Sequence, residues 1–170
     1  MRADAPFYAS LCDNTSLYMK KLGIVCAPGL TSPTETPVSL ESVSSFIQVN
    51  GAVQGGFILS VDERLARQLA KRFVIADITD EEAEGYAVEA VAEISNIISG
   101  NALASREEPD VFLGNPLMIV TNGAEVKANA SVRTAAYATD FGTCLCIFVP
   151  ASHKAELASI ITVRPQDRKE

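Results

Sequence analysis

Apolar residues recur along the chain with two different periods, and the alternation of these periods predicts helices combined with antiparallel strands. Helical spacing predicts a first helix over residues 6–22 that ends at Gly23. Two later helices are predicted to begin after Asp62 and after Thr79, whose side chains can cap a helix, and Glu82 completes a capping box. Runs rich in β-branched and aromatic residues predict strands. These runs are residues 43–49, 56–61, 117–121, 125–139 and 143–149.

Glycine, proline and asparagine residues mark the connections between these elements. The glycines within residues 50–56 predict a β-hairpin, and two further turns are predicted at residues 122–123 and 140–142. Residues 27–39 contain several prolines among serines and threonines, which predicts a loop. A short helix is predicted over residues 152–160.

The order of the predicted elements repeats. Residues 48–73 give strand, glycine turn, strand and helix, and residues 137–161 give the same order after a long helix of their own. The sequence therefore predicts an α/β fold of the α+β type, in which helices cover an antiparallel sheet built from two pseudo-symmetric helix-hairpin-helix halves. We expect a single domain over residues 1–163 and a polar C-terminal tail over residues 164–170.

Composition and charge argue against several classes of function. A chain of 170 residues with 48% hydrophobic content can bury a sizeable core without a stabilising cofactor or disulfide. The formal net charge of −7 disfavours nucleic acids and anionic membranes as partners. No apolar run reaches the length of a membrane span, and residues 1–6 lack the apolar region of a signal peptide. We therefore expect a cytoplasmic protein with no nucleic-acid or membrane partner.

Residue types that often carry chemistry are few and scattered. The cysteines form neither a C-x-x-C pair nor a metal-binding spacing, and we interpret them as structural thiols. They are Cys12, Cys26, Cys144 and Cys146. His153 has no partner histidine and is interpreted as a surface residue. Because no complete catalytic motif is present, we expect no metal site and no cofactor of the protein's own, and any chemistry should use groups that a partner supplies.

The helix that follows Thr79 carries an acid and an amide one turn apart. Each helical residue advances about 100°, so Glu93 and Asn96 fall on one stripe with Cβ atoms about 5–6 Å apart. An adjoining arc is apolar and wide enough to face a core. The remaining residues of the stripe are small or polar: Gly85, Glu89, Ala92, Ser99 and Gly100. Small side chains let a second backbone approach, which favours a partner-binding surface. The alternative is that the pair is merely solvated on an amphipathic helix.

A longer pattern surrounds this pair, namely the hairpin over residues 51–56, the motif Glu93-x-x-Asn96-x-x-x-Gly100-Asn101-Ala102, and Pro116. This pattern resembles the CheC/CheX/FliY family of chemotaxis phosphatases, and the resemblance covers nearly the whole chain. Residues 6–7 and 19–24 resemble the opening of CheX proteins. The first helix has Leu11 and Asn14 at the positions where the helix after Thr79 has the acid and the amide. A single acid–amide pair is similar to CheX rather than to two-site CheC.

The resemblance implies a phosphatase that acts on the aspartyl phosphate of a CheY-type receiver domain, with Glu93 and Asn96 as its catalytic residues. We expect Asn96 to position the attacking water and Glu93 to pair with a lysine of the receiver, which also carries the magnesium ion. The surrounding partner-binding residues are Glu89, Ala92, Ser99 and Gly100. The family also implies a homodimer formed through strands. Asn50 and residues 110–115 depart from the family pattern and leave the identity of the receiver open.

Two alternatives belong to other classes of function. A CheX-like module without activity could dock on a receiver domain or take part in a signalling or motor assembly. A small-molecule enzyme using Glu93 as a base is disfavoured, because no histidine, lysine or oxyanion donor can be assigned near it from the sequence.

Overall fold

Three helices and ten strands occur in the part of the chain that the computed structural model describes, which is residues 4–35, 37–105, 110–128, 131–150 and 160–163. The helices are α1 (Asp4–Lys21), α2 (Glu63–Phe73) and α3 (Asp80–Ala104). The strands are β1 (Cys26–Thr34), β2 (Val38–Ser39), β3 (Val43–Gly51), β4 (Gly55–Val61), β5 (Val111–Leu113), β6 (Leu117–Val120), β7 (Ala124–Val126), β8 (Val132–Thr139), β9 (Gly142–Pro150) and β10 (Ile161–Val163).

The larger sheet is antiparallel and follows the order β1-β8-β9-β4-β3-β5, with β6 also paired to β3. Its central strands β4 and β9 place Ile58 opposite Ile147. Each of them belongs to a hairpin, β3–β4 or β8–β9, so the two hairpins are related by a pseudo-two-fold axis. The predicted mixed fold, with helices covering an antiparallel sheet, is confirmed.

Both faces of this sheet are buried. Alternate residues of β4, such as Phe57 and Leu59, pack in a core shared with the three helices. Ile58, between them, packs in a second core with Leu40 and Val126, next to the smaller sheet β10-β7-β2. Because the sheet is covered on both faces, every residue of β4 is buried.

The predicted helix caps are confirmed by hydrogen bonds. Asp62 Oδ1 accepts the backbone N–H of Leu65 at 2.7 Å. Thr79 Oγ1 accepts the backbone N–H of Glu82 at 3.1 Å, and the Glu82 carboxylate accepts the N–H of Thr79 at 3.3 Å. Gly142 has a φ of 135° in the predicted turn after β8, where a Cβ would overlap the Asp62 carboxylate. The turn and the helix cap therefore depend on each other.

The predicted loop over residues 27–39 is wrong. This segment forms β1, which pairs with β8, and β2, which pairs with β7. Proline lacks the N–H that an interior strand must donate, but β1 lies at the edge of the larger sheet, where that donor is dispensable. The register is also irregular between Pro28 and Thr31, which accommodates the proline locally.

The predicted single strand over residues 125–139 is also wrong, since it divides into β7 and β8 in different sheets. The turn at residues 122–123 therefore connects strands that do not pair with each other. Two short strands, β5 and β10, were not predicted. The predicted helix over residues 152–160 lies, apart from Ile160, outside the described residues, as do His153 and the tail over residues 164–170.

Candidate functional site

Helix α3 packs against other elements on one side near its N-terminus and over most of its circumference from about residue 90 onward. It contacts α1, α2 and β3. Ser10 of α1 donates a hydrogen bond to the carbonyl of Ala102 at 3.3 Å, and Ala83 and Ala90 pack against Ala70 of α2. Because other elements flank it, the C-terminal part of α3 presents a narrow face to solvent.

This exposed face of α3 carries the predicted acid and amide. Glu93, Asn96, Glu89 and Gly100 are exposed, and Ala92 is half-buried. Within the described part of the chain, neither the Glu93 carboxylate nor the Asn96 carboxamide has a hydrogen-bond or ion-pair partner. Both side chains can therefore contact another molecule without first breaking a contact of their own.

Ser99 does not share this surface, and its predicted position on the exposed stripe is wrong. Its side chain is fully buried. Its hydroxyl donates to the carbonyl of Ser95 at 2.8 Å and also lies 3.2 Å from the carbonyl of Asn96. A helical wheel built from the sequence contains no information about the elements that pack around α3 and widen its buried arc. Ser99 supports the helix backbone beneath Asn96.

The two glycines of the exposed face have no packing partner that requires them. A Cβ built on Gly85 or on Gly100 would meet no atom within 4 Å. A helix with an interior glycine is less stable than the same helix with alanine by roughly 0.5–1 kcal/mol. Gly85 and Gly100 therefore lower the stability of α3 without a compensating contact in the described part of the chain. An approaching partner would explain why small residues are useful there.

The charge of the face changes along the helix. Glu82, Glu89 and Glu93 lie on its N-terminal part, and no acidic residue of α3 follows Glu93. The C-terminal part, with Asn96 and Gly100, is neutral. A negatively charged group on a partner would meet less repulsion there than at the N-terminal part.

Tyr86 is an exposed aromatic residue on the same face, and it is not among the site residues predicted from the sequence. It lies two helical turns before Glu93 and is 50% exposed. Its position on the stripe could have been read from the helical spacing. Exposed aromatic side chains often contribute strongly to protein interfaces, which makes Tyr86 a candidate contact for a partner.

Helix α1 offers no comparable pair on its surface. Leu11 is fully buried in the core. The amide nitrogen of Asn14 donates to the carbonyl of Ser10 at 2.8 Å and lies 3.4 Å from the Ser10 hydroxyl. At these two positions, the side chains of α1 make contacts within the chain and are not free to contact a partner.

Residues that could hold a metal ion do not cluster in the described ranges, where no group of three or more His, Cys, Asp or Glu side chains comes together. Among the helices of those same ranges, none is long and apolar enough to cross a membrane.

Comparison with protein families gives one match that covers the candidate site. The family model described as "Chemotaxis phosphatase CheX" matches residues 43–141, more than half of the chain, and this range includes all of α3. No curated protein matches the chain.

Solved structures of chemotaxis proteins share the fold. A chemotaxis protein CheX from Desulfovibrio desulfuricans has 22% identity and a TM-score of 0.69, over 89% of this chain and 100% of its own. A CheC-like superfamily protein from Shewanella sp. PV-4 has 16% identity and a TM-score of 0.72, over 85% and 97%. A chain of the CheX-CheY-BeF3-Mg+2 complex from Borrelia burgdorferi has 18% identity and a TM-score of 0.64, over 85% and 96%.

Proposed function

Because this chain belongs to the CheX family of chemotaxis phosphatases, we propose that it hydrolyses the aspartyl phosphate of a CheY-type receiver domain. The observation that carries the proposal is the exposed pair of Glu93 and Asn96, whose side chains have no partner within the described part of the chain. They project from a helix face that is narrow and carries small residues. Such a face suits insertion into a cleft of another protein.

Asn96 is proposed to position the attacking water. Hydrolysis of an acyl phosphate needs a water held in line with the bond that breaks, and orientation of this kind contributes much of the rate acceleration in phosphoryl transfer. A carboxamide oxygen can accept a proton of that water while its NH₂ group donates to a phosphoryl oxygen. Because the amide is neutral, it avoids the repulsion that a carboxylate would suffer from the phosphoryl group.

Glu93 is proposed to pair with a lysine of the receiver domain. It lies one turn before Asn96, so an ion pair there would fix how the helix sits relative to the phosphoryl group. An ion pair and its hydrogen bond become stronger when the interface excludes water. Glu93 therefore acts mainly on binding and register, and Asn96 acts on the reacting water.

Magnesium is proposed to come from the receiver domain rather than from this chain. The Borrelia burgdorferi structure similar to this chain is a complex of CheX with CheY, BeF3 and Mg+2, which supports a CheY-like partner. A bound divalent cation would neutralise charge on the phosphoryl oxygens, a task for which the face of α3 has no cationic side chain.

Glu89, Ala92 and Gly100 are proposed to contact the receiver around the pair. Gly100 would let the partner backbone approach closely, since it has open space where a side chain would stand. Ser99, although proposed from the sequence as a contact, is buried, so its contribution would be to hold the backbone under Asn96.

We also propose that the protein is a cytoplasmic homodimer formed through its strands. Support comes from the outer strands β5 and β6, which expose Phe112, Leu117 and Val120. Exposed strand edges of this kind tend to pair with another chain. Light scattering should give twice the monomer mass of 18.1 kDa, and a mass of one chain would contradict the dimer.

The function is tested by phosphate release from a purified phosphorylated CheY-type receiver in the presence of magnesium. Substoichiometric amounts of this chain should accelerate release about tenfold or more over the receiver's own rate, because one molecule serves many receivers. Binding without acceleration would instead support the inactive docking module. A chain that neither binds nor accelerates release would contradict both functions.

A further inference from the structure

Two cysteines from distant parts of the sequence meet between the first helix and the centre of the larger sheet. The sulfurs of Cys12 in α1 and Cys146 in β9 lie 3.9 Å apart. A disulfide requires a separation of about 2.05 Å, so the two sulfurs must move closer by about 2 Å for the bond to form. Both residues are reduced in the structure.

A cavity gives solvent access to one member of this pair. It has a volume of about 320 Å³, lies between α1 and the edge of the sheet, and is lined by Cys12, Tyr8, Asp13 and Arg133, among others. Cys12 is 8% exposed, whereas Cys146 is completely buried. A small oxidant could therefore reach Cys12 first, and Cys146 would react only through Cys12.

Polar groups lie close to the Cys12 sulfur. The Cys146 sulfur is 3.9 Å away, the Tyr8 hydroxyl donates to the Cys146 carbonyl at 3.4 Å, and the Tyr137 hydroxyl donates to the Cys12 carbonyl at 3.2 Å. The thiol of Cys146 and the hydroxyls of Tyr8 and Tyr137 stabilise the ionised form of Cys12 and lower its pKa to about 7, although burial and the Asp13 carboxylate oppose the shift. The same surroundings raise the pKa of Cys146, chiefly because of the neighbouring Cys12 and because of burial. Cys12 therefore ionises more readily than Cys146.

We propose that Cys12 and Cys146 form an oxidation site, in which a hydroperoxide oxidises Cys12 and Cys146 then closes an intramolecular disulfide. The site is independent of the exposed face of α3, since neither cysteine belongs to that helix. It also departs from the interpretation of all four cysteines as purely structural thiols.

The chemistry proceeds in two balanced steps. The Cys12 thiolate attacks one oxygen of hydrogen peroxide, the O–O bond breaks, and the products are a Cys12 sulfenic acid and hydroxide. The Cys146 sulfur then attacks the Cys12 sulfur, an S–S bond forms, and the S–O bond breaks with loss of water, which takes up the Cys146 proton. Overall, two thiols lose two electrons and two protons, and one peroxide is reduced to two waters.

The disulfide would tie α1 to the sheet. In the reduced protein, α1 is held by packing such as that of Phe7 against Phe148, whose ring centroids lie 6.1 Å apart, and by the bond from Tyr137 to the Cys12 carbonyl. A covalent link across so long a loop restricts the unfolded chain strongly. The oxidised protein should therefore unfold at a higher temperature than the reduced protein.

The experiment treats the full-length reduced protein with a small molar excess of hydrogen peroxide, followed by thiol blocking and peptide mass spectrometry without reductant. The expected product is one peptide pair joining Cys12 to Cys146, with an intact mass lower by about 2 Da and full reversal by dithiothreitol. The midpoint of thermal unfolding should rise on oxidation and return on reduction. A Cys12 that stays reduced, or that links to Cys26 or Cys144, would overturn the proposal.

Cysteine variants separate the two steps. Cys146→Ser should leave Cys12 as a sulfenic acid that a dimedone probe labels, whereas Cys12→Ser should abolish both labelling and cross-linking. Cys144→Ser is the matched control, because it alters another buried thiol of β9 and should leave the cross-link unchanged. Should a variant fail to fold, peptide mapping of the unaltered chain still decides the matter.

Discussion

Helices α1 and α3 begin the two halves of the fold, yet they use corresponding positions in opposite ways. On α1, Leu11 is buried in the core and the Asn14 amide is bonded to Ser10. On α3, Glu93 and Asn96 are exposed, and neither side chain has a partner within the described residues. The spacing of two residues therefore does not by itself make a site. A site also requires that the fold leave both side chains free at the surface.

The largest effect is expected from Asn96→Asp, which gives α3 a side chain of the same size with a negative charge. Repulsion of the phosphoryl group should reduce turnover about 100-fold or more and should also weaken receiver binding. Phosphate release measured over a range of receiver concentrations checks both effects. Asn14→Asp makes the same change on α1 and should leave turnover unaltered. Equal losses of turnover in Asn96→Asp and Asn14→Asp would contradict the proposed difference between α3 and α1.

Glu93→Ala should have the next largest effect, because it removes the ion pair proposed to set the register of the complex. We expect about tenfold weaker receiver binding together with lower turnover at subsaturating receiver. Glu84→Ala removes an exposed acid from another side of α3 and serves as the control. Binding titration and phosphate release should distinguish the two variants. An unchanged receiver affinity in Glu93→Ala would contradict the proposed contact between Glu93 and a receiver lysine.

Gly100→Ala should have the smallest effect on activity, and it should make the protein more stable. Since a Cβ there meets no atom within 4 Å, the free energy of unfolding should rise by about 0.5–1 kcal/mol. Receiver affinity should fall a few-fold, because the added methyl group separates the two backbones. Gly85→Ala should give the same gain in stability, measured by denaturant unfolding, with less effect on affinity, since it lies about 22 Å away along the helix axis. Unaltered affinity in both variants would exclude a close approach at Gly100.

Local signals in the sequence predicted much of the fold. Capping residues such as Asp62 and Thr79 act through bonds to backbone groups within the next turn, so a short stretch of sequence contains the necessary information. The hairpin of β3 and β4 was predicted for the same reason, because its glycines lie next to the strands that they connect.

Features that depend on distant partners could not be predicted in this way. The prolines of β1 indicate a loop unless one knows that the strand lies at a sheet edge. The division of residues 125–139 between two sheets depends on pairing with β1, β2 and β10, which lie far away in the sequence. The burial of Ser99 depends on the elements packed around α3, and the meeting of Cys12 with Cys146 depends on the packing of α1 on β9.

The most direct test is the rate of receiver dephosphorylation by Asn96→Ala at a saturating concentration of this protein, measured beside the unaltered chain and Asn14→Ala. We expect Asn96→Ala to lose the acceleration about 100-fold while saturating at a similar concentration, because the water is no longer positioned and binding persists. Asn14→Ala should keep the full rate and lose only about 0.5–1.5 kcal/mol of stability with its hydrogen bond. A full rate in Asn96→Ala would contradict the central claim that the exposed amide of α3 directs the hydrolysis.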